Sequence, residues 1–511
     1  MYYRTGTAVQ TKESLREMLT LNIHDYTEVS IDGIDLRPFA YPVYTRLRKQ
    51  FDRDEVFLLE SLGRNAVDAR TSMVGVGPFL TISAYANHVE LQADERYLSG
   101  LMMGLKGSCQ ICDGTMQIPI ETDETIWDIL RRIEQAIAYP SSQQGMCPLM
   151  FGYFAYDTIH YVERIGKVVR PGAGPRIQLK LYETIITLME RGFSILTYAP
   201  GKARIPDASE LARVVMDIVH DAPPQSTAMP QVPAKTAVKR ETGRESYLSK
   251  ARIALEHIRI GDIYQVQIGQ KIEVASPAEP ETVYERMRIS NPSPYMYLFE
   301  VDGRTVVGAS PELFVRIDEG QILMRPIAGT LGKKEGLTHD AASRHLRSDE
   351  KEVAEHMMLV DLCRNDLHRV SQAESVQVSE LMGIEEYSHV WHMVSTTRGK
   401  LDVNKDKYDV IAASFPAGTM TGTPKIRAME IIQENEDSDR GLYAGAVGVL
   451  GVGTNKINTA LCIRTAVHQD GVYALRASAG IVADSEPDRE YMETLHKMGA
   501  VYRAVTGEEL V

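Results

Sequence analysis

The chain has 511 residues, 44% of them hydrophobic and 24% charged, with a net charge of −13 at pH 7. This is ordinary globular composition with room for two or three domains. The acidic balance leaves no basic excess to neutralise phosphate, so nucleic acid is excluded as the expected partner, and any small anion needs a local basic pocket.

The start, MYYRTGTAVQ, lacks a basic region followed by an apolar run, so no secretory leader is expected. No stretch of about eighteen apolar residues predicts a membrane span, and the cytoplasm is the expected compartment. Residues 11–25 carry a helical pattern. FAYPVYTRL (39–47), DEVFLLESL (54–62), TSMVGVGPFLTISAYA (71–86) and HVELQA (88–93) read as strands. Cys109 and Cys112 form a single CxxC; without a second pair it reads as a free-thiol loop rather than a zinc ribbon. Residues 123–139 predict an amphipathic helix with Ile126, Ile129, Leu130, Ile133 and Ile137 on one stripe. Two further segments, 146–157 and 176–199, return to strands. This half reads as mixed α+β with no catalytic constellation.

Residues 221–244, rich in Pro, Gln, Ser and Thr, read as a linker. The expected organisation is an N-terminal regulatory or structural region (1–220), this linker, and a catalytic region (245–511). After the linker come a helix and a strand with Gln265 and Gln267 on one face. Residues 304–318 look like strand, tight turn, strand. Glu312, beside that turn, is either a proton donor or a solvated hairpin carboxylate. Asp349 begins a helix with Glu352 as a capping-box partner and with Glu352 and Glu355 three apart. In 387–401, His389 and His392 are at i,i+3. Residues 415–435 form a Gly- and Thr-rich loop entering a helix at Pro424. It is not a Walker A loop.

Residues 443–482 look like a meander, with Asn458, Ala460, Cys462 and Arg464 on one face. Cys363 and Cys462 read as core. The small residues Ala477–Gly480 then lead into a helix carrying Glu490, Glu493 and Lys497 on one face. A turn of small residues, two carboxylates and an ammonium could hold a hard cation against an anionic substrate. Read alone, it could equally be a surface helix with an ion pair. About nine acid-x-x-acid pairs arise by chance in a chain this acidic, so the two ExxE helices do not suffice by themselves.

Four long motifs in order do: PIAGT (326–330), DEKEVAEHMMLVDLCRND (349–366), FPAGTMTGTPKIRAMEII (415–432) and AGIVADSEPDREYMETLHK (479–497). Together they resemble the chorismate-utilising enzymes, above all anthranilate synthase component I and its aminodeoxychorismate synthase relatives. The resemblance implies an α+β fold of antiparallel sheets with surrounding helices, and a Mg2+ enzyme acting on chorismate. Glu355 and Glu493 match metal ligands, with Glu352 and Glu490 beside them. Tyr443, Arg464, Gly480 and Lys497 match chorismate contacts; Gly329, Thr330 and Thr419 line the same site. Glu312 matches the general acid and His392 the residue associated with pyruvate elimination. Gln265 stands where isochorismate synthases have a lysine base, which favours ammonia over water as nucleophile. Ala328 stands where a nucleophilic lysine serves 4-amination. Ser478 departs from a usual glycine.

LLES (58–61) and NPSPYMY (291–297) resemble the tryptophan feedback site, with Ser61, Pro294, Tyr295 and Met296 matching it and Glu60 adjacent. The alternative there is packing between the halves. No Cys-His-Glu glutaminase pattern is visible, so glutamine use implies a separate glutaminase subunit. The expected activity is conversion of chorismate and ammonia to anthranilate and pyruvate. The alternatives are a 2-amino-2-deoxyisochorismate synthase that stops before elimination, and a silent homologue that binds chorismate or an amino acid.

Overall fold

The computed structural model describes residues 19–21, 23–63, 67–68, 70–105, 109–138, 147–165, 174–198, 205–221, 228–233, 237–333 and 337–511. Its spine is a pair of 13-residue antiparallel strands, Ser72–Ala84 and Ile177–Met189. From one end of this pair a first arm of neighbouring strands runs through Val56–Glu60, Tyr295–Val301, Arg304–Ser310, Thr465–Gln469 and Val472–Ile481 to Gln265–Ala275. From the other end a second arm runs through Leu149–Phe154, Ala446–Gly451, Ile457–Leu461, Leu313–Asp318 and Gln321–Met324 to Val390–Lys400.

The arms face each other across an aromatic seam. Phe57 stacks on Phe151 at 4.1 Å between ring centres, and Phe299 meets Phe151 edge-on at 5.0 Å. Helices close the outer faces. Ile126–Ala136, Lys407–Ser414 and part of Glu350–His368 share a core with the second arm. Ala40–Leu47, Arg244–Arg259, Pro280–Ser290 and Pro487–Thr506 pack on the first. The result is a helix–sheet–sheet–helix stack, in line with the mixed antiparallel fold expected. Strands covered on both faces read as near-continuous apolar runs rather than alternating ones; Tyr295–Val301 is an example. Strands before residue 221 pair with strands after 244 in both arms, so the halves share their cores.

Several local readings change. Residues 11–18 lie outside the described residues, and Leu19–Thr20 and Ile23–Ser30 are strands, not helix. FAYPVYTRL is the helix Ala40–Leu47, because Ala40, Tyr41, Val43, Tyr44 and Leu47 bury one helical face. Residues 390–400 are a strand. The expected meander is two hairpins on different arms, 446–461 and 465–481. In the linker segment, Ala237–Arg240 pairs with Ile272–Ala275, and 222–227 and 234–236 lie outside the described residues. The amphipathic helix forms as expected over Ile126–Ala136, with Thr125 and Asp128 closing a capping box. Cys112 is exposed, whereas Cys363 and Cys462 are buried; all are free thiols. No helix among the described residues is long and apolar enough to cross a membrane.

Candidate active site

Two links carry the chain from one arm to the other. Pro311 and Glu312 join Arg304–Ser310 to Leu313–Asp318. Cys462, Ile463 and Arg464 join Ile457–Leu461 to Thr465–Gln469. The links lie side by side: the Leu461 N–H donates to the Glu312 carbonyl at 3.0 Å, and the Ala309 N–H donates to the Arg464 carbonyl at 3.2 Å. Arg464 turns there with φ +52°. Two residues 152 apart in sequence, Glu312 and Arg464, thereby come close enough to act on each other through space.

Glu312 is not a solvated hairpin residue; it is 7% exposed. Burial pushes its carboxyl up to about 8, against the opposing influence of the Thr419 hydroxyl, Arg464 and Lys497. At neutral pH it holds a proton it can donate. The Thr419 hydroxyl stands near it, buried and without a hydrogen bond of good geometry. Burial lowers the pKa of Arg464, which makes no ion pair among the described residues and feels Glu312 and Glu493 only through space. A guanidinium held this way is poised for a bidentate carboxylate.

His392 lies on Val390–Lys400, opposite a β-bulge at Gly329. Gly329 takes φ +74°, open to glycine at little cost. The bulge turns the Gly329 carbonyl onto His392 Nδ1 at 3.1 Å, with Thr330 Oγ1 also 3.1 Å away. A carbonyl oxygen only accepts, so Nδ1 carries the proton and Nε2 is bare. Burial pushes the imidazole down to about 4, leaving it neutral at pH 7. His389, three residues earlier, reaches instead the Ser290 carbonyl.

Two helices bring four carboxylates together. Asp349 caps Glu350–His368 by accepting from the Lys351 and Glu352 N–H groups. No reciprocal capping box forms, and Glu352 leans toward Gly329, where an added Cβ would sit 3.3 Å from its Oε2. Glu355 Oε1 accepts from Gln265 Nε2 at 2.8 Å. On Pro487–Thr506, Glu490 accepts from Ser485 Oγ at 2.7 Å, and Glu493 pairs with Lys497 at 2.6 Å. Burial, then repulsion by Glu352 and Glu493, pushes Glu355 up to about 7. Burial and Asp349 raise Glu352. Burial, with repulsion from Glu493, raises Glu490. Burial opposes ionisation of Glu493, but Lys497 outweighs it and holds that carboxyl below its ordinary value.

The cluster is short of positive charge, and its donors are hard oxygens. That chemistry fits Mg2+, which takes few protein carboxylates and keeps several waters. No three described His, Cys, Asp or Glu side chains already form a coordination shell. Glu355 and Glu493 would hold the ion from the two helices, with Glu352 and Glu490 beside them.

Gly480 forms the wall between these groups: a Cβ there would fall 2.7 Å from Gln265 Nε2 and 3.4 Å from Glu355 Oε1. Ser478, two residues earlier, accepts from the Tyr443 hydroxyl through its Oγ at 3.0 Å, and its carbonyl accepts from Lys497 Nζ at 3.0 Å. Its side chain has room because Gly269 lies opposite; a Cβ at 269 would sit 2.5 Å from Ser478 Oγ. Thr330, His392, Arg464 and Lys497 line a cavity of about 650 Å³, the size of a small-molecule site. Tyr387 and His496 also line it. No local motif marks those two, because only strand pairing and helix packing bring them in.

The five residues expected to hold an amino acid also come together, around a much smaller cavity of about 40 Å³. Glu60 is fully engaged there: it pairs with Arg288 at 2.6 Å, accepts from the Tyr284 hydroxyl at 2.8 Å and from the Tyr41 N–H at 3.3 Å. Ser61 donates to the Thr71 carbonyl at 2.8 Å. Tyr295 donates to Asp68 at 3.0 Å, and Met296 pairs with Glu60 in the first arm.

A family model described as chorismate binding enzyme matches residues 86–503. A 2-amino-4-deoxychorismate synthase from Streptomyces globisporus is 44% identical over 480 residues, covering 92% of this chain and 95% of that protein. An anthranilate synthase component 1 from Acetivibrio thermocellus is 33% identical over 509 residues, covering 94% and 97%. The crystal structure of anthranilate synthase component I from Streptococcus pneumoniae TIGR4 superposes with a TM-score of 0.67 at 29% identity, covering 85% of this chain and 92% of that one.

Proposed function

From the premise that the chain belongs to the chorismate binding enzyme family, we propose that it aminates chorismate with ammonia, releasing 2-amino-4-deoxychorismate and water. The observation that carries this reading is the placement of Glu312, whose burial favours its protonated form, near an Arg464 that makes no ion pair among the described residues, where the chain crosses between the two arms. Arg464 takes a substrate carboxylate bidentately, and Lys497 stands beside it. Glu312 protonates the ring hydroxyl as it leaves. Glu355 and Glu493 would hold Mg2+, which would supply charge neutralisation for the dicarboxylate substrate. Gln265 occupies the face where a base would otherwise activate water, and its amide is committed to Glu355; ammonia needs no such base. The likeness to the Streptomyces globisporus protein, whose name states this product, supports release of the non-aromatic amine.

A second reading is favoured by His392. Its bare Nε2 beside the cavity suits removal of the ring proton geminal to the new amine, with loss of the enolpyruvyl side chain as pyruvate. The product is then anthranilate, as named for other relatives. Either way a separate glutaminase subunit supplies ammonia from glutamine, and the cytoplasm is the compartment we assign. Incubation of the pure chain with chorismate, Mg2+ and an ammonium salt, followed by mass analysis, separates the readings. The first yields an amine that retains the enolpyruvyl group; the second yields fluorescent anthranilate and pyruvate. No amine of either kind would overturn both. Glutamine in place of ammonium should give no product without a partner chain.

A further inference from the structure

A chain of buried and half-buried polar side chains runs from the small cavity to His392. Arg325, 2% exposed, forks between two carboxylates: Nη1 pairs with Asp68 and Nη2 with Glu385. Its Nε donates to Thr396 Oγ1 at 3.2 Å. On one side, Asp68 accepts from the Tyr295 hydroxyl at 3.0 Å, and Tyr295 lines the 40 Å³ cavity. On the other side, Glu385 Oε2 accepts from the Tyr387 hydroxyl at 3.3 Å. The Tyr387 ring stands edge-on to the His392 imidazole, with ring centres 5.0 Å apart and planes at 75°. Both rings line the 650 Å³ cavity.

This arrangement has a consequence for His392. Gly329 and Thr330 both hold Nδ1, but contacts at one ring nitrogen leave the imidazole free to swing about it. The Tyr387 ring supplies the second constraint, and Tyr387 is itself held at its hydroxyl by Glu385. Glu385 is held by the planar fork of Arg325, whose two-sided geometry an ammonium cannot reproduce. We infer that Arg325, Glu385 and Tyr387 are positioning residues that hold His392 with Nδ1 on Gly329 and Nε2 toward the substrate. The inference uses the reading that substrate occupies the large cavity, but its geometry stands without substrate.

The test is nitrogen-15 NMR of histidine-labelled full-length protein without substrate, with the His392 signal identified by its loss in His392→Gln. Unmutated protein should show one tautomer, protonated at Nδ1. Tyr387→Leu, Glu385→Gln and Arg325→Lys should each give a tautomer mixture or a broadened signal. Tyr387→Phe, which keeps the ring and loses only the hydroxyl, should give an intermediate result. Calorimetric affinity for chorismate with Mg2+ should change by no more than about threefold in Glu385→Gln and in folded Arg325→Lys, since neither residue lines the cavity. Removal of the Arg325 fork disrupts a buried ion-pair network and can prevent folding; Tyr387→Phe and Glu385→Gln then carry the test alone. A single Nδ1–H tautomer in Tyr387→Leu would overturn the inference, and an unmutated signal in both Tyr387→Phe and Glu385→Gln would remove Arg325 from it. Loss of chorismate binding by the unmutated protein would instead overturn the substrate reading and leave the tautomer result standing.

Discussion

The two polar clusters of this molecule are built from similar residues and answer opposite questions. Around Glu60, each charged group has its partner: Arg288, Tyr284 and the Tyr41 N–H saturate the carboxylate, and about 40 Å³ of space is left over. That volume admits a water or two, far below the roughly 300 Å³ at which small-molecule sites begin. Around Arg464, a guanidinium makes no ion pair among the described residues, the Thr419 hydroxyl has no hydrogen bond of good geometry, four glutamates crowd nearby, and a cavity of about 650 Å³ stands open. A satisfied cluster holds two halves of a fold together. An unsatisfied one costs stability and is retained for a ligand that completes it.

Substitutions can break that contrast or sharpen it. Glu355→Gln or Glu493→Gln should abolish Mg2+-dependent turnover with little loss of fold, measured by product formation and circular dichroism; full activity, or activity in excess chelator, would contradict the metal assignment. Glu312→Gln should lower kcat by about 10²–10⁴-fold, the usual worth of a general acid. It also carries a stability signature. The folded carboxyl titrates near 8 and the unfolded one near 4.5, so its neutral form is favoured in the fold. The stability it contributes is complete below about 4.5 and is lost as pH rises through about 8. Glu312→Gln should therefore melt higher than the unmutated protein at pH 9 and near it at pH 4.5. Equal melting at both values would mean that Glu312 is not protonated in the fold.

The satisfied cluster should behave the other way. Arg288→Met leaves Glu60 buried and unpaired and should cost about 3–5 kcal/mol in denaturant unfolding. Turnover per folded molecule should stay within about twofold, because no substrate contact is removed. Tryptophan at millimolar concentration should give little heat on calorimetry, since its binding requires the Glu60–Arg288 joint to open first; strong binding would show that this joint is a latch. Ser478→Gly should have the smallest effect. It frees the Tyr443 hydroxyl and should shift KM for chorismate by less than about tenfold.

The same contrast marks what was legible in the sequence. The C-terminal helix was readable because Pro487 and the Glu490, Glu493 and Lys497 spacing are local signals. The amphipathic helix before residue 137 was readable for the same reason. Glu312 was undecided locally, because its burial comes from a crossing between arms whose strands pair with residues 150 positions away. His389 and His392 are three apart, which would place them almost one turn apart if the stretch were helical. The β-branched residues of VWHMVSTT (390–397) instead favour a strand, which carries His392; His389 lies in the bend before it, and the two side chains reach different carbonyls. Ala40–Leu47 misled in the opposite direction: its Tyr and Val residues favour strands, and tertiary packing on the first arm overrides them. The emptiness of one cavity and the fullness of the other depend on Arg288, Tyr284 and Arg464 arriving from distant segments, and no local pattern records that.

The most direct test of the central claim compares chorismate binding by unmutated protein and Arg464→Met, by calorimetry with Mg2+ and without ammonia. The expected result is saturable binding to the unmutated protein and at least about a 100-fold weaker affinity in the variant, the loss of a bidentate charged contact in a desolvated site. The variant should also melt no lower, since it removes a half-buried charge that has no ion pair among the described residues. Equal affinity in the two proteins, or a large fall in melting temperature on losing Arg464, would contradict the assignment of this cleft as the chorismate site.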